Sequence, residues 1–239
     1  MELTPGLIRV GNDKVAVHAI LAPEGVTLID AGIAGLYRPF ARELAAHGRS
    51  VADIRGIVLT HGDTDHIGFA ERLRAEHGTT VFVHEADAER AKGRESTKPD
   101  WGGMRLLPTL GFMTYAATHG GLRTRYLSDV TTVADGTALD LPGSPEVIGM
   151  LGHSPGSIAV HVPSVRAVFV GDALTTRNVL TGATGPQPAP FTDDQAAASV
   201  SLDRLSGLDV DWVIPGHGPA WHGGVAELAA AYRAAEARA

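Results

Sequence analysis

The chain has 239 residues, 44% of them hydrophobic and 20% charged, with a formal net charge of −7. This composition excludes a disordered chain and a coiled coil, and the acidic balance argues against a general nucleic-acid binder. No apolar run approaches the roughly 18 residues of a membrane span. Cysteine is absent, so disulfides, thiolate metal sites and a cysteine nucleophile are ruled out, and any metal must be held by nitrogen and oxygen. Residues 1–10 carry no basic stretch followed by an apolar one, so no secretory signal is expected and a cytoplasmic location is the default.

In chain order, residues 7–10, 15–20 and 26–30 read as short strands separated by Gly11-Asn12-Asp13 and Pro23-Glu24-Gly25, the pattern of a meander. A helix is expected over 35–47, a buried strand over 56–60, a helix over 67–77, a strand over 79–83 and a helix over 85–92. Residues 94–125 break this rhythm: they hold Pro99 and Pro108 and several glycines, yet are rich in large apolar side chains, and read as an insertion with some helix. Strands return at 130–133, 146–150, 157–162 and 167–170, followed by a helix over 192–205, a strand over 212–214 and an alanine-rich helix over 224–237. Strands with interleaved helices in both halves suggest two β layers covered by helices.

Chemistry concentrates in Leu59-Thr60-His61-Gly62-Asp63-Thr64-Asp65-His66-Ile67-Gly68, where His61, Asp63, Asp65 and His66 follow an apolar strand and precede a helix. Imidazole and carboxylate together suit zinc, iron or manganese, whereas the plainer reading is a polar loop with a helix cap at Thr64 or Asp65. Three later strand–loop junctions each add one ligand type beside glycine: His153, Asp172 and His217. Glycine there lets the backbone turn sharply and present its neighbour. Strand ends gather at one edge of packed sheets, which would bring these residues to the first cluster.

With these stretches in this order, the chain resembles the metallo-β-lactamase superfamily over nearly its whole length. The family motif H-x-H-x-D-H matches His61-Gly62-Asp63-Thr64-Asp65-His66, the next three family ligands fall on His153, Asp172 and His217, and the buried aspartate beneath the metal loop falls on Asp30. The resemblance implies a four-layer αββα sandwich, with 1–239 as one domain and 94–125 as an insertion within it. It also implies two divalent ions, zinc first and iron or manganese as alternatives. His61, Asp63 and His153 would hold one, Asp65, His66 and His217 the other, and Asp172 would bridge them. Asp65 would act in catalysis by orienting a hydroxide and passing a proton to the leaving group.

The departure is Asp63, where the family usually has histidine. Two divalent ions, three aspartates and a hydroxide sum to zero charge, one unit below the usual set, which favours iron or manganese over zinc. The leading expectation is a metal-dependent hydrolase of a small carbonyl substrate, namely a lactone, ester or thioester. An iron-dependent oxygenase on the same scaffold is the alternative, and a binding module with a degenerate site a third. Trp101, Phe112 and Met113 of the insertion, together with Arg177, are the candidate substrate contacts. The insertion reads either as a wall of the substrate pocket or as a satellite core or homodimer interface. Partner expectations are therefore a small molecule and a second copy, with no nucleic acid and no membrane.

Overall fold

In the computed structural model, which describes residues 1–96, 101 and 103–237, the chain begins with β1 (Glu2–Thr4), β2 (Leu7–Gly11), β3 (Ala16–Ala22) and β4 (Gly25–Ile29). Then come α1 (Tyr37–Ala46), β5 (Ile54–Val58), α2 (Ala70–His77), β6 (Thr80–His84), α3 (Ala88–Ala91), α4 (Leu106–Thr118) and β7 (Thr131–Val133). The second half runs β8 (Glu146–Gly149), β9 (Ile158–Val162), β10 (Ala167–Gly171), β11 (Thr175–Arg177), β12 (Thr184–Gln187), α5 (Gln195–Ser201), β13 (Trp212–Pro215), β14 (Trp221–His222) and α6 (Val225–Glu236). Strands β1 to β7 form one sheet in sequence order; β14-β13-β10-β9-β8 form a second, and β11 and β12 pair as a hairpin.

Alternation along the strands builds the layers. On β3, Val17 and Ala19 face one way and Ile20 the other; on β10, Ala167 and Phe169 oppose Val168 and Val170. Three buried clusters result. One joins the first sheet to Phe40 and Leu44 of α1, Leu73 of α2, Ala88 and Ala91 of α3 and Phe112 of α4. The second lies between the sheets, where Ile20, Ile29 and Val58 meet Val160, Phe169 and Ile214. The third packs the second sheet on Leu202 and on Leu228 and Tyr232 of α6. Three such clusters are what an αββα sandwich requires, since each layer must bury its apolar face against the next.

The two sheets aim their strand ends at the same place. Strands β4, β5, β6 and β7 run parallel, as do β10 and β13. At their carboxyl ends the sheets touch directly: the Ile158 amide donates to the Thr60 carbonyl at 2.8 Å. A side chain at Gly171, whose φ is +50°, would collide with Thr60 of the other sheet, so glycine there permits the approach. Open α/β sheets bind ligands outside their strand carboxyl ends, and this edge is such a place.

The structure departs from the sequence reading in a few elements. The helix expected over 192–205 starts only at Gln195, because the Asp194 side chain caps it by accepting from the Ala197 amide at 2.9 Å. The helix expected over 85–92 is a tight turn followed by the short α3. Strands β1, β11, β12 and β14 are two to four residues long and carry too little alternation to be read from sequence.

His18 on β3 is sealed between the sheets, 5.5 Å from the Phe169 ring and only 5% exposed. Burial, with Arg9 nearby, pushes its pKa down from 6.5 to about 3. The folded protein keeps this imidazole neutral, while the unfolded chain takes up its proton as pH falls below 6.5. The stability it contributes is thus present above pH 6.5 and lost as pH falls toward about 3. His18→Leu should flatten the fall in unfolding free energy between about pH 6 and about pH 4 by about 1.4 kcal/mol per pH unit. Denaturant titrations of both proteins across that range check this, and equal slopes would contradict it.

Candidate metal centre

The loop after β5 carries four of the singled-out residues on one tight turn, closed by the Asp63 carbonyl accepting from the His66 and Ile67 amides at 2.9 and 3.1 Å. His153 comes from the loop between β8 and β9, Asp172 directly follows β10, and His217 follows β13. All seven side chains lie together. His153 Nε2 is 3.3 Å from Asp63 Oδ2 and 3.8 Å from Asp172 Oδ2, and His61 Nε2 is 3.6 Å from Asp63 Oδ2. His217 Nε2 lies 3.2 Å from Asp172 Oδ2 and 3.4 Å from Asp65 Oδ2, and His66 Nε2 lies 3.6 Å from Asp172 Oδ1. Glycine at 216 makes room: a Cβ there would strike Asp172 Oδ1 and the His66 ring.

The four imidazoles are turned the same way by partners on their other nitrogen. His66 Nδ1 bonds to Asp30 Oδ2 at 2.9 Å, and His217 Nδ1 bonds to the Lys14 carbonyl. His153 Nδ1 meets the Thr192 hydroxyl at 3.1 Å; that hydroxyl donates to the Ala189 carbonyl, so it accepts from the ring. His61 Nδ1 meets the Thr60 hydroxyl at 3.0 Å, which likewise donates to Asp30 Oδ2. Each ring is thereby held through Nδ1 with its Nε2 facing the centre, where a bound cation would take the place of any second proton. Among the described residues, Nε2 of His61, Nε2 of His66 and Oδ1 of Asp172 are buried with no hydrogen-bond partner. Unsatisfied buried acceptors are costly, and three aimed at one point fit a cation there.

Asp30 anchors this arrangement from a left-handed backbone, φ 56°, at the end of β4. Its Oδ1 accepts from the Thr60 amide at 2.8 Å, and its Oδ2 from the Thr60 hydroxyl and the His66 ring. Electrostatics follow. Burial would lower the His66 pKa, but Asp30 and Asp172 outweigh it and raise it to about 10. His217, also opposed by burial, is raised to about 9 by Asp172 and Asp65. His61 is pushed well below its usual value by burial and by the neighbouring His66 and His153. Asp172 is held well below the carboxylate range although burial opposes it, because His217 and His66 flank it. The set concentrates negative charge where cations are wanted.

Three further residues bear on the site and were not legible in sequence. Asp87, wholly buried in the turn before α3, accepts from the Gly62 amide at 2.8 Å, the Ser154 hydroxyl at 2.7 Å and the Gly156 amide at 2.7 Å, clamping the two histidine loops together. Arg90 of α3 donates through Nε to Asp63 Oδ1 at 2.5 Å and through Nη1 to Asp193 Oδ2 at 3.0 Å. Thr192 sets His153, as above. No spacing marks these out from ordinary helix and loop residues; only the position of Asp87 and Arg90 one helical turn apart, after a strand ending at the same edge, hints at them.

The seven side chains stand at or near a pocket of about 380 Å³, whose lining includes Asp63, Asp65, His153, Asp172 and His217. Its apolar side is built by Val15, Ile33, Phe112, Ala116, Leu122 and Phe191. Phe112 is buried, its ring 6.2 Å from that of His217. The other substrate contacts expected from sequence, Trp101, Met113 and Arg177, are not among the described residues that line the pocket. Met113 is one residue round α4 from Phe112, so it faces outward, 39% exposed. Trp101 is exposed, its ring centroid 5.0 Å from that of Phe191, which does line the pocket. Arg177 lies on β11, beside the threonines that bond the His217 carbonyl.

A family model described as the metallo-beta-lactamase superfamily matches residues 11–217. A probable metallo-hydrolase of Bacillus subtilis is 29% identical over 82% of this chain and 76% of its own length. A hydroxyacylglutathione hydrolase of Ruegeria pomeroyi is 31% identical over 57% of this chain, a match that spans 39% of that relative. Among solved structures, a metallo-beta-lactamase family protein of Thermus thermophilus superposes with a TM-score of 0.68 at 23% identity, covering 95% of this chain and 78% of that one. The chain belongs to the metallo-beta-lactamase superfamily.

Proposed function

We propose that the chain, a metallo-hydrolase of this superfamily, cleaves the acyl bond of a small ester, lactone or thioester whose acyl or alkyl part is apolar. The observation that carries this reading is the convergence of seven imidazole and carboxylate side chains beside an apolar-walled pocket. His61, Asp63 and His153 form one ligand group and Asp65, His66 and His217 another, each with its ligand atoms within 4.8 Å of one another, and Asp172 stands between them. These are the residues that would hold two divalent ions. The nitrogen and oxygen donors suit zinc, iron and manganese. Bound there, the ions supply Lewis acidity toward the carbonyl oxygen and bring the pKa of water close to neutrality.

The protein's own groups do the rest. Asp65 is half-buried in the pocket lining with Oδ2 near His217 Nε2, where it takes a proton from the attacking water and returns it to the leaving oxygen or sulfur. Phe112 and Phe191 exclude water from one side and bind the apolar part, which holds the carbonyl toward the ligand groups. The name of the Ruegeria relative supports a thioester among the candidate substrates.

Two outcomes test this reading. In a series of esters and lactones of increasing chain length, binding should improve by at most about 0.8 kcal/mol, roughly fourfold, per added methylene until the pocket is full. Phe112→Ala should flatten that slope while Met113→Ala leaves it unchanged, because only the first side chain lines the pocket. A flat series in the parent protein would contradict the apolar subsite, and oxygen consumption in place of hydrolysis would move the chain to the redox members of the superfamily.

The second outcome concerns the ring partners. Thr192→Val keeps the shape of residue 192 but removes the oxygen that holds His153 Nδ1. It should weaken metal uptake by about ten- to a hundredfold, with Thr192→Ser restoring most of it. Competition with a chelator measures this, and an unchanged affinity would show that the Thr192 contact does not orient His153.

A further inference from the structure

Asp63 stands where the sequence resemblance implies a histidine, and its two oxygens have different surroundings. Oδ2 faces the histidines, 3.3 Å from His153 Nε2 and 3.6 Å from His61 Nε2. Oδ1 is engaged by Arg90 Nε at 2.5 Å. The guanidinium is itself fixed: its Nη1 donates to Asp193 Oδ2 at 3.0 Å, and its side chain is only 10% exposed. Asp193 in turn donates its amide to the His153 carbonyl at 3.1 Å, so the Asp63–Arg90–Asp193 chain spans the two loops that carry the first ligand group.

A carboxylate differs from the imidazole it replaces in two ways: it can chelate an ion through both oxygens, and it is anionic. A guanidinium on one oxygen counters both, by occupying that oxygen and drawing charge from the other. Asp63 is accordingly held well below the usual carboxylate range: burial opposes this, but the His153 contact, His61 and Arg90 prevail. We propose that Arg90 is a positioning residue that turns Asp63 into a single-oxygen ligand, so that an aspartate fills the place of a neutral histidine at the first metal position. This rests on the reading of that position as a metal site. The arrangement suits arginine rather than lysine, because one rigid fork must serve Asp63 and Asp193 at once.

The test is a mutant cycle read on metal rather than on turnover. Zinc is titrated into chelator-stripped protein against a chromophoric competitor, and cobalt(II) is substituted so that its visible spectrum reports coordination number. The proteins are the parent, Arg90→Gln, Arg90→Lys, Asp63→His, and each Arg90 variant combined with Asp63→His. Arg90→Gln should weaken zinc binding by about ten- to a hundredfold, because losing the fixed orientation of Asp63 outweighs the charge and second oxygen it regains. It should also dim the cobalt bands as Asp63 opens to two oxygens, and Arg90→Lys should recover part of the affinity. In the Asp63→His background the same Arg90 changes should alter affinity by no more than about twofold, the ordinary limit of additivity.

Equal losses in both backgrounds would make Arg90 a general structural support and overturn the proposal. So would an unchanged titration and cobalt spectrum in Arg90→Gln. Should Arg90→Gln fail to fold, the Arg90→Lys pair makes the same comparison. A parent protein that takes up no zinc, iron or manganese would overturn the metal-site reading, and this proposal with it.

Discussion

One buried carboxylate organises the reactive edge of this protein. Asp30 ends β4 in a left-handed conformation, a backbone region that aspartate tolerates better than most residues. From there it grips the Thr60 amide and hydroxyl at the end of β5 and the His66 ring beyond it. Through the Thr60 hydroxyl its influence reaches His61 Nδ1, and the Thr60 carbonyl receives the Ile158 amide from the second sheet. A single group thus fixes the strand ends, two ring tautomers and the contact between sheets. A charge this deeply placed is tolerable only because each of its oxygens is hydrogen-bonded.

A second layer repeats the logic around the other ligands. Asp87 binds the backbone of both histidine loops, Thr192 turns His153, and the Lys14 carbonyl turns His217. What the rings lack, among the described residues, is a hydrogen-bond partner for the Nε2 atoms of His61 and His66. Folding therefore uses its hydrogen bonds to aim lone pairs at a common point, an arrangement whose cost is offset when a cation binds. Charge-pairing at Asp63 belongs to the same scheme: one oxygen is tied to Arg90, and the other is left with the histidines.

Much of this could be read from the sequence, and the limits have physical causes. The αββα layering follows from strands such as 15–20 and 167–170 with helices between them. His61, Asp63, Asp65, His66, His153, Asp172 and His217 stand out because each sits beside a strand end or a glycine turn. The phase of α4 could not be read, since Leu106–Thr118 is apolar all round; choosing Phe112 over Met113 as the inward residue needs the packing against His217. Asp87, Arg90 and Thr192 escape a sequence reading because they act through backbone groups, a carboxylate and a ring nitrogen distant along the chain. Arg177 draws attention by its closeness to Asp172 in sequence, whereas on the β11–β12 hairpin it is not among the described residues that line the pocket.

The most direct test of the account is anomalous diffraction from crystals of protein purified without added metal, recorded across the zinc, iron and manganese edges. Two peaks are expected, one within about 2.0–2.6 Å of His61 Nε2, Asp63 Oδ2 and His153 Nε2, the other at the same range from Asp65, His66 and His217, with Asp172 within that range of both. Crystals whose seven side chains surround no anomalous peak, even after soaking in each metal, would contradict it.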